Sequence, residues 1–162
     1  MDTQVKDVMV ETARASDEER ITFGEVVMKL TQAGVERYHA DLLRGEKTYY
    51  LPNGESEVVA GEPVGTTPAR EFSAGGVDAA VRDIQAGKIQ YRVFCARVAA
   101  AGCVGYHVSL AGQRAVYYGR AGDCHGLVSD ARHDYRAARQ RGVEDGDLVG
   151  RWQGGKEPAA RG

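Results

Sequence analysis

Residues 21–55, ITFGEVVMKLTQAGVERYHADLLRGEKTYYLPNGE, decide the fold because their pattern occurs twice. Shifted by 68 positions, they align without a gap on residues 89–123, IQYRVFCARVAAAGCVGYHVSLAGQRAVYYGRAGD. Nine of the 35 aligned pairs are identical, including an Ala-Gly helix stop, a Tyr-His pair and a Tyr-Tyr pair. These identities fall at structural landmarks, so we interpret the stretches as two copies of one helix-plus-hairpin unit.

The first copy predicts a helix followed by antiparallel strands. Thr22 starts a capping box with a glutamate three residues later, and Gly34 is placed to end the helix. Alternation of apolar and polar residues predicts a strand over residues 35–43 and a returning strand over residues 47–51. Residues 55–60 predict a third strand.

An earlier helix is predicted over residues 3–14, where apolar side chains recur at helical spacing. The same stripe returns in a helix that begins after Ser73, so the duplicated unit contains two helices and a hairpin. A row of apolar side chains on one side of a helix is buried by packing against an apolar face of a sheet. The sequence therefore predicts an α+β fold, a two-layer sandwich of helices on an antiparallel sheet.

The chain is expected to form one duplicated domain with a tail. Residues 1–126 make up the domain, with copy one at residues 1–60 and copy two at residues 72–126. Residues 127–162 are polar and rich in glycine, and we expect a C-terminal extension that is mobile from about residue 142.

Composition limits the classes of partner. A net charge of −2 and a pI near 6.1 argue against a nucleic-acid or anionic-membrane binder. No apolar run approaches the ~20 residues of a membrane span, and the acidic N-terminus does not resemble a signal peptide. Three cysteines without a CxxC pair suit a reducing compartment. We expect a cytoplasmic protein, and its oligomeric state stays open.

Several segments resemble the bacterial YdfO-like family of unknown function, whose members are often labelled phage envelope proteins. The similarity spans roughly residues 5–126 and is most specific in Glu-Arg-Tyr-His-Ala-Asp, residues 36–41, and Tyr-Tyr-Gly-Arg, residues 117–120. It implies a small cytoplasmic α+β fold. No set of catalytic residues comes with this family.

Strand alternation predicts a polar sheet face on the side away from the helices. We place His39, Asp41 and Tyr49 there as catalytic candidates, because a carboxylate can orient an imidazole that titrates near neutral pH. Lys47 is placed on the same face. The substrate-binding candidates are Arg37, His107, Ser109, Tyr117, Arg120 and His125. The alternative is a solvated face whose polar side chains pair with one another.

Two functions fit this face. One is a cofactor-independent acid–base enzyme, of the lyase, isomerase or cyclase type, acting on a small organic substrate. The other is a non-catalytic regulatory module that binds a small molecule or a protein. A cavity under the sheet would favour the enzyme and a flat open face the module. We expect no metal and no cofactor. Four other tyrosines are predicted to lie in the core, namely Tyr38, Tyr50, Tyr106 and Tyr118.

Overall fold

The structure, a computed structural model, describes residues 1–128, which form four helices and six strands. The first half contains α1 (Thr3–Asp17), α2 (Phe23–Gln32), β1 (Arg37–Asp41), β2 (Glu46–Tyr50) and β3 (Ser56–Ala60). The second half contains α3 (Ala74–Gln85), α4 (Tyr91–Ala100), β4 (Cys103–Ser109), β5 (Arg114–Gly119) and β6 (Cys124–Val128). The predicted α+β class is confirmed.

Polar side chains start the helices where the sequence places them. Thr22 accepts a hydrogen bond from the Glu25 amide at 3.2 Å and donates one to the Glu25 carboxylate at 3.1 Å. Ser73 caps α3 by accepting from the Gly76 amide at 3.0 Å. Such caps satisfy amides that have no partner within the helix. Gly34 follows α2 with a φ of +82°, as expected of a helix stop.

All six strands form one antiparallel sheet in the order β3-β2-β1-β4-β5-β6. The strands of the first half therefore occupy one side of the sheet, and those of the second half occupy the other. At the centre β1 pairs with β4, and His39 lies opposite His107. These two residues are equivalent under the 68-residue offset. The duplication itself remains an inference from the sequence.

One face of the sheet packs against the helices and forms the core. Each helix contributes a side chain that is 0% exposed, namely Met9, Leu30, Val77 and Val98. They belong to one cluster with the buried strand residues Tyr38, Ala40, Tyr106 and Val108. Burial of each large apolar side chain stabilises the fold by about 1.5–3 kcal/mol.

The sixth strand was not predicted. It crosses the expected domain boundary at residue 126 and adds an edge beside β5. Its sequence, Cys-His-Gly-Leu-Val, shows little alternation of polar and apolar residues, because Gly126 takes a position that faces away from the helices. The strand is recognised only by its pairing with β5. The expected extension, apart from its first residues, and its mobility lie outside the described residues.

Candidate functional site

The sheet face opposite the helices, which we call the open face, carries two central histidines. His39 on β1 and His107 on β4 are cross-strand partners, and their ring centroids are 4.5 Å apart. Tyr118 on β5 completes the group: its ring lies 5.8 Å from that of His39, and its hydroxyl forms a 2.6 Å hydrogen bond with His39 Nε2. An imidazole and a phenol joined in this way can exchange a proton.

Partial burial keeps this group neutral near pH 7. Desolvation lowers the pKa of His39, against the opposing charges of Asp41 and Glu46. Desolvation also lowers the pKa of His107, and the neighbouring His39 and Arg37 add to the effect. Burial raises the pKa of Tyr118. The imidazoles are therefore available as bases and the phenol as an acid.

A glycine makes room for this hydrogen bond. A Cβ on Gly105 would lie 2.4 Å from the Tyr118 hydroxyl and 2.8 Å from the Ala40 carbonyl oxygen. The equivalent position in the first half is Arg37, so the second half has lost side-chain volume where the phenol now lies. Tyr118 was predicted to be a core residue, and this placement is wrong. Tyr50 also lies off the core, where its ring contacts the Arg37 guanidinium at 3.8 Å.

The predicted placement of Tyr49, Tyr117 and Lys47 on the polar face is wrong. Tyr49 lies opposite Tyr38 in the sheet, their rings are 5.5 Å apart, and Tyr49 is 1% exposed. Tyr117 is likewise buried, opposite Tyr106. Cross-strand partners share a face, so the buried Tyr38 and Tyr106 require buried partners. In β2 and β5 the predicted alternation of faces was shifted by one residue, so each side chain was assigned to the opposite face of the sheet.

The remaining first-half candidates do lie on the open face. Asp41 does not hydrogen-bond His39; instead its Oδ1 accepts from the amides of Leu43 and Arg44 at 3.0 and 2.9 Å, which stabilises the β1–β2 turn. Arg37 stacks on Tyr50, and its Nε lies 3.8 Å from a Glu36 carboxylate oxygen. The expected Asp41–His39 pair is thus replaced by a pair between His39 and Tyr118.

The second-half candidates are dispersed. Ser109 Oγ accepts from the Gly112 amide at 2.9 Å within the β4–β5 turn. Arg120 donates to the Pro68 carbonyl at 3.4 Å. His125 lies opposite the buried Tyr117, on the helix side, where its Nε2 is 3.8 Å from Asp78. The predicted place of His125 on the polar face is therefore wrong.

A separate cavity, which we call the Lys47 cavity, lies on the helix side of the first half. Its volume is about 210 Å³. It is lined by the ends of α1 and β1, the starts of β2 and α4, and the segment 61–65. Its lining includes Ala13, Asp17, Leu42, Lys47, Val59, Tyr91, Cys95 and Ala96. Carbon atoms therefore form much of its wall, with a few polar groups among them.

Lys47 reaches this cavity because it lies between Ala40 and Val59, which face the helices. Its Nζ lies 4.8 Å from the centre of the Tyr91 ring. Desolvation lowers the pKa of Lys47, and the charge of Asp17 opposes this shift. Within residues 1–128 the Lys47 amine forms no salt bridge and no hydrogen bond. Partial burial without an anionic partner shifts the protonation equilibrium of the amine towards its neutral form.

The other reactive groups in the cavity are protonated near pH 7. Burial raises the pKa of the Cys95 thiol to about 11, although the charge of Lys47 acts in the opposite direction. Burial also raises the pKa of Tyr91, whose hydroxyl is 3.3 Å from that of Tyr106. Among these groups the amine is consequently the one nearest to its nucleophilic state.

The cavity wall depends on close backbone packing. Gly45 in the β1–β2 turn has a φ of +65°, and a Cβ there would lie 2.4 Å from the Pro63 nitrogen. The Gly61 amide donates to the Gly45 carbonyl at 2.7 Å, and the Glu62 amide donates to Asp17 at 3.2 Å. These contacts hold the segment 61–65 in place as part of the cavity wall. A Lys among apolar cross-strand neighbours was the sequence signal that could have revealed this site.

One family model of unknown function matches part of the chain. Residues 67–127, which span α3 to most of β6, match the family model described as "Protein of unknown function (DUF1398)". No curated protein matches the chain. Across the described residues, no group of three or more His, Cys, Asp and Glu side chains is arranged to hold a metal ion. Nor does this part of the chain contain a helix long and apolar enough to cross a membrane.

Proposed function

We propose that the protein is a binding module for a small organic molecule that occupies the Lys47 cavity. One observation carries this conclusion: the amine of Lys47, which has no ion-pair partner within residues 1–128, faces a partly open cavity of about 210 Å³, whereas the histidines lie on an open sheet face. Ligand sites are concave and mostly apolar, with a few polar groups that orient the ligand. Cavities for drug-sized ligands span roughly 300–1,000 Å³, so this ligand is smaller.

The lining defines the chemistry of the ligand. Leu42 and Val59 would contact a short hydrocarbon part. Lys47 and the Tyr91 ring would contact a polar group at its other end, such as a carbonyl or hydroxyl oxygen. A strongly anionic group is disfavoured, because the Asp17 carboxylate also lines the cavity. A short neutral ketone, aldehyde, alcohol or amide fits this arrangement best.

The test is NMR titration of the full chain with butanol, butanone and butyramide. Shifts should concentrate at Cys95 and Val59, with dissociation constants near the millimolar range that suits so few atoms. Ala96→Leu fills the cavity and should weaken binding at least about tenfold. Ala100→Leu is the control, because Ala100 lies on the same helix but is exposed. Equal binding by both variants, or no shift at the cavity, would refute the proposal.

Acid–base catalysis at the open face is the second candidate function, and the 2.6 Å hydrogen bond between His39 and Tyr118 favours it. Removal of a positioned acid or base typically lowers the rate about 10²–10⁴-fold. His39→Gln and Tyr118→Phe should each have this effect on any turnover that is found. His107→Gln is the matched control and should mainly weaken binding. Equal mild effects of all three variants would exclude this function.

We also infer that the chain is YdfO-like and that its two halves are copies of one unit. The gapless 68-residue offset, the order of strands and the central pairing of His39 with His107 support the duplication. Under this offset Lys47 corresponds to Ala115, which is 3% exposed. Only the first copy would therefore carry the amine, and the binding function would belong to one half of the duplicated fold.

A further inference from the structure

The amine of Lys47 differs from an ordinary surface lysine in its surroundings. It lies in the row between Ala40 and Val59, both of which are less than 10% exposed, and above the face of the Tyr91 ring. Among the charges that raise its pKa the Asp17 carboxylate acts most strongly, and one Asp17 oxygen already accepts a hydrogen bond from the Glu62 amide. Lysines desolvated in apolar pockets are the ones that act as nucleophiles.

We propose that Lys47 forms an imine with a small aldehyde or ketone held in the Lys47 cavity, an inference that rests on the proposed function. The neutral amine attacks the carbonyl carbon and a C–N bond forms. The nitrogen loses its two protons to the carbonyl oxygen, which leaves as water. The products are one C=N bond and one water molecule, so the step needs no oxidant, reductant or cofactor.

The neighbouring side chains favour this reaction over its competitors. The Cys95 thiol, the other potential nucleophile in the cavity, is 5% exposed and mainly protonated near pH 7. The Tyr91 ring lies beside the amine and can cover one face of a planar imine. The ligand class is therefore a short carbonyl compound whose chain fits about 210 Å³.

The test is reductive trapping in the full chain at pH 7 with butanal and cyanoborohydride, which reduces an imine to a stable amine. Peptide mass spectrometry then gives the labelling rate at each lysine. Lys47 should be labelled faster than the exposed Lys29, because the cavity holds the aldehyde beside the amine and desolvation raises the neutral fraction of that amine. Lys47→Met should lose this fast label, and Lys29→Met should retain it.

Two further experiments distinguish labelling that depends on the cavity from labelling that depends only on the reactivity of the amine. 4-Phenylbenzaldehyde is too large for the cavity and should not label Lys47 preferentially. Ala96→Leu should slow labelling by butanal, whereas Ala100→Leu should not. Labelling of Lys47 no faster than Lys29, or preference for Lys47 with the large aldehyde too, would overturn the imine proposal. Butanol should still bind if the imine proposal is wrong. If butanol does not bind in the cavity, the proposed function is refuted instead.

Discussion

Substitution of Gly45 by alanine tests whether the cavity wall depends on close packing of the β1–β2 turn. Two separate costs are expected. Gly45 has a φ of +65°, and an L-residue in the left-handed region costs roughly 1–2 kcal/mol. The new Cβ would also lie 2.4 Å from the nitrogen and 2.6 Å from the Cα of Pro63. These are backbone atoms, so the segment 61–65 must move.

The second cost can be worked out from the contacts that this movement breaks. Displacement of the segment removes the 2.7 Å hydrogen bond from the Gly61 amide to the Gly45 carbonyl, and such a bond contributes about 1 kcal/mol. Together with the backbone cost, we expect Gly45→Ala to lower the free energy of unfolding by about 2–3 kcal/mol. Ligand binding in the Lys47 cavity should weaken in parallel.

Gly54→Ala is the matched control. Gly54 has a φ of +90° in the next turn, but no atom lies within 4 Å of its Cβ position, so it carries the backbone cost alone. Urea unfolding followed by circular dichroism should show a loss of about 1–2 kcal/mol for Gly54→Ala and a clearly larger loss for Gly45→Ala. Equal losses would refute the argument that the turn and the segment 61–65 are packed in contact.

Three further predictions concern the two candidate sites. Folding lowers the pKa of His39 and of His107, so the unfolded chain binds more protons than the folded chain below about pH 6.5. The melting temperature should therefore fall with acidification from pH 7 to 5. His107→Gln should make the melting temperature depend less steeply on pH. Gly105→Ala should break the His39–Tyr118 hydrogen bond and shift the His39 ring resonances, whereas Gly126→Ala, with no atom within 4 Å, should not. Lys47→Met should leave the melting temperature unchanged or raise it, because it removes a partly buried amine that has no ion-pair partner within residues 1–128. A marked fall would show that the lysine is needed for folding.

Local chemistry in the sequence predicted the helices and most strands. The Thr22 capping box and the glycine at position 34 determine where α2 begins and ends, since both act through backbone groups a few residues away. Alternation placed Tyr38 and His39 on opposite faces, and the structure confirms that Tyr38 is buried. The strand β6 was missed because its sequence carries little alternation of its own.

Tertiary pairing decided which side chains share a site. Antiparallel register joins Tyr38 to Tyr49 and Tyr106 to Tyr117. The first pairing places Tyr49 in the core and the second places Tyr118 on the open face, the reverse of the sequence prediction. A shift of one residue reverses every side chain of a strand, so alternation alone leaves the choice of face open until the neighbouring strand is placed. The same pairing turned Lys47 from a surface group into the amine of a cavity, because burial and charge depend on contacts between distant parts of the chain.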